Sequence, residues 1–244
     1  MHLRIENEAA TKPRNRLLAG ISASDWARIS KHFEPLELNR GDVLVEAGER
    51  FSHVFFPEEG LVSTVATFES GAVAETATTG SEGVVSVGAV LGGTRALNRH
   101  VVQVPGVGLR IEIGQFEKVQ RDHAAFRQKL FAYIQVFVGQ AMQSVACNVT
   151  HSIEERCARW LLMCHDRSAH DQISLTQEAL ADILGVSRPA VNRVARMLQS
   201  AGLIRYARGV LVIEDRQGLE ATSCECYATI RQQFDQLLPG SFVR

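Results

Sequence analysis

Between about Pro35 and Ile113 the apolar positions fall into short β-prone runs: Asp42 to Val45, Val54 to Phe56, Leu61 to Phe68, Val73 to Thr78, His100 to Val104 and Leu109 to Ile113. Gly41, Gly48, Gly60, Gly71, Gly80, Gly92, Gly93 and Gly106 separate them. Short strands broken by glycine at this spacing predict an antiparallel barrel or jelly roll. A short helical stretch over Ser24 to Phe33 precedes it. From about Phe116 the glycines thin out, and Phe126, Leu130, Tyr133, Phe137 and Ala141 recur four and three residues apart. That spacing predicts a long helix whose stripe forms a seam between two copies of the chain; the alternative is a helix laid across its own barrel. Asn148 to Ser152 reads as a hinge, Ile153 to Cys164 as the next helix, and the polar stretch Arg167 to Ile173 as a loop.

The stretch from Gln177 to Arg196 then changes what the chain is expected to do. Thr176 is a predicted N-cap, and Glu178 lies in the first turn, where the helix dipole favours an acid. Gly185 supplies the left-handed residue that turns the chain. The Ser187 hydroxyl is expected to cap a second helix, and Pro189 sits in its first turn, where an amide has no intrahelical partner. At 100° per residue Val191, Val194, Ala195 and Leu198 share one arc, and Arg188, Pro189, Asn192, Arg193 and Arg196 the opposite one. Ala181 is small where the two helices must cross. Arginine reads guanine bidentately and asparagine reads adenine, so the outward arc has the chemistry of a DNA-reading helix. Gly202 to Tyr206 and Val210 to Ile213 flank Ala207-Arg208-Gly209 as a predicted hairpin, with Arg205 and Arg208 near its tip and within reach of phosphates. The pattern is a winged helix-turn-helix.

Net charge does not contradict this. The 244 residues carry a formal charge of −1, yet Ser187 to Arg208 contains five arginines and no acid, and a concentrated charge suffices for DNA. The length accommodates two domains with their own cores. No run of about 18 apolar residues appears, so no membrane span is expected. The N-terminus lacks the apolar core of a signal peptide, which predicts a cytoplasmic chain. Its cysteines, Cys147, Cys157, Cys164, Cys224 and Cys226, are odd in number and fit reduced thiols. Cys224-Glu225-Cys226 invites a metal reading, but zinc usually takes two separated ligand pairs, and a single C-x-C is expected to be packing, with no metal bound. No catalytic constellation is evident, so no enzymatic activity is expected.

In order and content, a β-roll, a long dimerisation helix and a winged helix-turn-helix, the chain resembles the Crp/Fnr family of bacterial transcription regulators over nearly its whole length. Thr176, Ile183-Leu184-Gly185-Val186-Ser187-Arg188 and Val191-Asn192-Arg193 carry the most specific likeness; the roll glycines and Leu219-Glu220-Ala221…Cys224-Glu225-Cys226-Tyr227 add to it. The resemblance implies an α+β chain with an N-terminal cyclic-nucleotide-binding-like roll over residues 1–115, a dimerisation helix and hinge over 116–150 and a DNA-binding domain over 151–244. It implies Arg188 and Arg193 as base contacts, Thr176 as a phosphate contact, a homodimer on a palindromic operator and RNA polymerase as a partner. Pro189 stands where many members carry a glutamate that reads the partner strand, so the usual half-site does not carry over.

The family's cyclic-nucleotide binders use a Gly-Glu pair for the ribose and, some ten residues later, Arg-Ser or Arg-Thr for the phosphate. Here Ser86-Val87 replaces that pair; Arg99 stands at the phosphate position, and His100 replaces the small hydroxyl residue. Glu82 is the displaced acid only if the alignment slips. A regulator without the usual cyclic AMP site is therefore expected, the alternatives being a cyclic-nucleotide-responsive member or a haem-responsive one using His53 or His100. The family's iron–sulfur sensors hold their clusters on cysteines near the N-terminus, and none precedes Cys147 here, so no such cluster is expected. Two further alternatives are a cupin-type metal-binding protein with a helical tail, for which the roll offers no H-x-H pair, and a scaffold whose helix-turn-helix contacts protein. The sequence leaves the effector, the operator and the choice between activation and repression unassigned.

Overall fold

The computed structural model describes residues 12–168 and 170–242; most of the N-terminal stretch read above for a signal peptide lies outside them. Asn15 caps α1 (Arg16–Ala19), and its amide donates to the carbonyls of Pro57 and Gly83, both at 2.8 Å, tying the N-terminal segment to the roll. α2 (Ala23–Ile29) and a 3-10 turn (Ser30–His32) follow. The expected helix ends before Phe33, which opens β1 (Phe33–Leu38) opposite Ile111. Pro35 explains the difference, since it disfavours helix at the residue before it and has no amide to donate. β2 (Val43–Val45), β3 (His53–Pro57), β4 (Leu61–Thr67), β5 (Val73–Thr79), the short α3 (Val87–Val90), β6 (Arg99–Val104) and β7 (Gly106–Glu112) complete the roll. It has two antiparallel sheets, ordered β1-β7-β3 and β2-β6-β4-β5.

Ile113 leaves the sheet and opens α4 (Ile113–Asp122), with the Glu112 carboxylate accepting the Gln115 amide at 3.0 Å. α5 (Ala124–Thr150) follows after His123. Phe56 at the roll's centre lies 6.3 Å from both Phe116 and Phe126, so the helices and the roll share one core. Tyr133 donates to or accepts from Thr79 Oγ1 at 2.9 Å. A Cβ on Gly83 would sit 2.3 Å from the Tyr133 ring, so only glycine lets α5 approach this closely.

The seam expected along Phe126, Leu130, Tyr133 and Phe137 is therefore not free: all four are buried in the chain's own core, and Ala141 is half-buried against it. A second stripe on α5, formed by Phe131, Val138, Met142, Val145 and Val149, faces outward instead, with Met142 70%, Val145 65% and Val149 84% exposed. Spaced 7, 4, 3 and 4 residues apart, these five fall within an arc of about 60° at 100° per residue. With one face apolar inward and another apolar outward, α5 is long and apolar enough to cross a membrane by composition, at a mean hydropathy of 1.3. Its inward face, however, is occupied by the roll.

The Ser152 hydroxyl and the Glu155 carboxylate form a capping box at the start of α6 (Ile153–Arg167). β8 (Gln172–Ser174), α7 (Gln177–Leu184), α8 (Arg188–Ser200), β9 (Ile204–Ala207), β10 (Val210–Ile213), α9 (Arg216–Thr222) and α10 (Cys226–Leu237) follow, with a sheet ordered β8-β10-β9. The expected loop at Arg167 to Ile173 is shorter than that: Arg167 ends α6 and Gln172 and Ile173 open β8, while Ser168, His170 and Asp171 lie outside helix and strand. Arg167 misleads because its charge is satisfied inside the protein: its Nε lies 2.9 Å from Glu82 Oε1, with the two side chains 1% and 0% exposed. Its guanidinium also donates to the Met163 carbonyl (2.9 Å) and to Gln140 Oε1 (3.1 Å), and lies over the rings of Phe234 and Phe242. Gln140 passes the connection on to the Thr78 carbonyl, and Trp160 donates to Glu75 at 2.9 Å. These buried polar links fix the helix-turn-helix region on its own roll.

Candidate nucleic-acid interface

The helix-turn-helix is built as its punctuation predicts, with one exception. Thr176 Oγ1 accepts the Ala179 amide at 3.2 Å, and Gly185 takes the left-handed conformation (φ 64°) at the end of α7. Ser187 precedes α8, but its hydroxyl makes no cap; its backbone carbonyl instead accepts the Ala190 and Val191 amides at 2.9 and 3.2 Å. Val191, Val194, Ala195 and Leu198 are buried, while Arg188, Pro189, Arg193 and Arg196 are exposed on the other face of α8. Asn192, expected on that face, is half-buried, and its Oδ1 is covered without a hydrogen-bond partner among the described residues. Its helical angle falls between those of Arg188 and Arg196, so periodicity alone does not explain the covered amide oxygen.

The hairpin carries Arg208 (φ 51°) and Gly209 (φ 78°) as consecutive left-handed residues, the geometry of a two-residue type I′ turn. Arg208 stands exposed at its tip. Arg205 is also exposed but stands back from the tip: it sits opposite Val212 and pairs with Glu214 at 2.8 Å, because strand register places it two residues before the end of β9. Thr176, Gln177, Glu178, Arg188, Tyr206, Arg208 and Gly209 line one surface depression. Tyr206 fixes its floor by donating to the Leu175 carbonyl at 2.8 Å, and burial raises its phenol pKa. Arg40, from the turn between β1 and β2, donates to the Thr176 hydroxyl. No sequence signal pointed to Arg40, which lies 136 positions from its partner.

In the roll, most positions weighed for a ligand are engaged internally, but the Ser86 hydroxyl is covered without a hydrogen-bond partner among the described residues. Arg99 pairs with Glu46 at 3.1 Å. Glu82 takes the Gly80 amide on both oxygens, each at 3.1 Å, besides Arg167. Ser86 adopts a left-handed conformation (φ 73°). His100 lies 3.1 Å from Thr64 Oγ1, and burial lowers its pKa to about 4, leaving a neutral ring. His53 Nδ1 lies 3.1 Å from the hydroxyl of Ser52.

The C-x-C, expected to lack partners, has two. Cys147 and His151 from the end of α5 meet Cys224 and Cys226, with all four donor atoms within 4.8 Å of one another. The pairing spans 77 positions between Cys147 and Cys224 and has no local spacing to reveal it.

Residues 155–222 match the family described as the Crp-like helix-turn-helix domain. FixK2 from Bradyrhizobium japonicum has a similar structure, with a TM-score of 0.67 at 16% identity over 79% of this chain and 98% of that one. The c-di-GMP responsive global regulator CLP of Xanthomonas campestris aligns with a TM-score of 0.61 at 14% identity, over 80% of this chain and 100% of that one. A CRP/FNR-family transcriptional regulator of Thermus thermophilus aligns with a TM-score of 0.59 at 20% identity, over 78% and 98%. No curated protein sequence matches the chain.

Proposed function

We infer that this chain, which carries a Crp-like helix-turn-helix domain within the fold of Crp/Fnr-type transcription regulators, is a homodimeric, sequence-specific DNA-binding regulator rather than an enzyme, working in the cytoplasm with RNA polymerase as a partner. One observation carries the reading: α8 packs on its apolar arc and presents Arg188, Arg193 and Arg196 outward with no acid on that face. In the major groove Arg188 and Arg193 are assigned to base edges and Arg196 to the backbone. Thr176, Arg188 and Arg208 line the depression assigned to a phosphate, where two arginines outweigh the single carboxylate of Glu178. Asn192 contributes to reading only if its amide rotates outward, and Pro189 leaves α8 without an acid for the partner strand.

The dimer is assigned to the outward stripe of α5, because five apolar residues at heptad-like spacing stand exposed on one arc. We further propose domains at 1–115, 116–150 and 151–244, and signalling that does not use the family's cyclic AMP contacts, since Arg99 and Glu82 already hold internal partners. Fluorescence anisotropy with a selected operator tests the reading. Arg188→Ala and Arg193→Ala are each expected to weaken specific binding by about 1–3 kcal/mol, roughly 5- to 150-fold, and to relax base preference at one position. If both variants keep wild-type affinity and preference, α8 is not the reading helix.

A further inference from the structure

We propose that Cys147, His151, Cys224 and Cys226 bind one Zn²⁺ ion in tetrahedral coordination, stapling the end of α5 to the turn that opens α10. Cys147 lies in the last turn of α5, and the backbone amide of its C-cap, His151, donates to the Cys147 carbonyl, which keeps the two residues one turn apart. Cys224 lies in the turn after α9, and Cys226 is the first residue of α10. Metal–sulfur bonds of about 2.3 Å and metal–nitrogen bonds of about 2.0 Å give a tetrahedron with donor–donor edges of about 3.5–3.8 Å. Cys147 Sγ and Cys224 Sγ are 3.5 Å apart, and Cys226 Sγ and His151 Nδ1 are 3.7 Å apart. With all four atoms within 4.8 Å, the group is already close to that size. An iron–sulfur cluster, which spreads its thiolates over several irons, does not fit the space.

Apolar packing of three thiols does not explain the surroundings. His151 Nδ1 lies 3.7 Å from Cys226 Sγ and 3.0 Å from the Thr150 hydroxyl, a contact the metal would replace, while its Nε2 lies 3.1 Å from the Glu225 carboxylate, the arrangement that fixes the tautomer of a metal-bound histidine. Gln143 Nε2 donates to Cys226 Sγ at 3.1 Å, as suits a thiolate acceptor. Three thiolates and a neutral imidazole around Zn²⁺ leave a net charge of −1, each thiol releasing its proton to solvent. Arg159, buried nearby, gives one hydrogen bond to Met163 Sδ and leaves its Nε without a hydrogen-bond partner among the described residues. Its charge and that of Arg156 act on Cys147, so the anionic centre would sit beside two cations.

The site stands independently of the DNA-binding reading, and its test uses metal content and spectra. Full-length protein purified without chelator is expected to hold about one zinc per chain by elemental mass spectrometry. After chelator stripping under reductant, one equivalent of Co²⁺ should produce the intense visible bands of tetrahedral thiolate coordination. Cys224→Ser/Cys226→Ser is expected to lose both zinc and those bands. His151→Gln, at a half-buried position, should keep the far-UV circular dichroism, shift the cobalt bands and weaken metal binding at least tenfold. Zinc-free wild-type protein whose cobalt spectrum remains that of the aqueous ion overturns the proposal, as does stoichiometric iron or a Cys147–Cys224 disulfide in its place. Should the double variant fail to fold, the wild-type zinc content and cobalt spectrum decide the question.

Discussion

Glu82 and Arg167 show what a single residue contributes once its partner is known. Removing one member of a buried ion pair strands the other charge, at a cost of about 3–5 kcal/mol, whereas replacing both with apolar groups of similar size is near neutral. Glu82→Gln is therefore expected to lower the unfolding free energy by that amount in urea titrations, and Glu82→Leu/Arg167→Met to recover most of it. His100 gives a pH prediction. Its folded pKa is lowered to about 4 by burial, below the ordinary value of about 6.5, so the unfolded chain binds the extra proton first. Stability from this group is complete above about pH 6.5 and lost as pH falls toward 4, roughly 3 kcal/mol in all. His100→Gln should reduce the difference in urea midpoint between pH 7.5 and pH 5; an unchanged difference would remove His100 from the account. Neither partnership was legible in sequence. Arg167 looked like part of a polar loop, and Arg99 looked like a free cation for a ligand, because a charge carries no mark of the carboxylate that will meet it.

At the scale of elements, local punctuation was read well. Thr176, Gly185 and the buried arc of α8 act as expected because caps, left-handed turns and helical periodicity depend on neighbours within a few positions. β1 was missed because Phe33 to Leu38 pairs with a strand some seventy positions away, and the Ser187 cap failed because backbone contacts filled its role. The stripe on α5 was detected, but which of its two apolar faces meets the roll depends on tertiary packing. The outward stripe yields the next prediction: Met142→Glu/Val145→Glu places charges at the seam and should convert a dimer to a monomer in sedimentation, without the large loss of stability expected for Leu130→Ala, about 2–5 kcal/mol. At the hairpin tip, Arg208→Ala should weaken binding to all sequences alike and reduce the salt slope of binding by about one.

In the whole molecule, the roll and the helix-turn-helix are joined through Glu75–Trp160, Glu82–Arg167, Gln140 and Arg40–Thr176. A signal that shifts the roll would therefore act directly on a residue assigned to phosphate contact, since Arg40 holds the Thr176 hydroxyl. Regulation in this picture is a change in population between arrangements of the same two bodies. Whether two copies present paired α8 helices to adjacent major grooves is decided by selecting bound duplexes from a random DNA pool with this 244-residue chain. Two paired helices of this kind should enrich a two-fold symmetric site whose half-sites lie about 34–36 Å, one helical turn, apart. Failure to enrich any sequence, or enrichment of a single unpaired half-site, would contradict that arrangement.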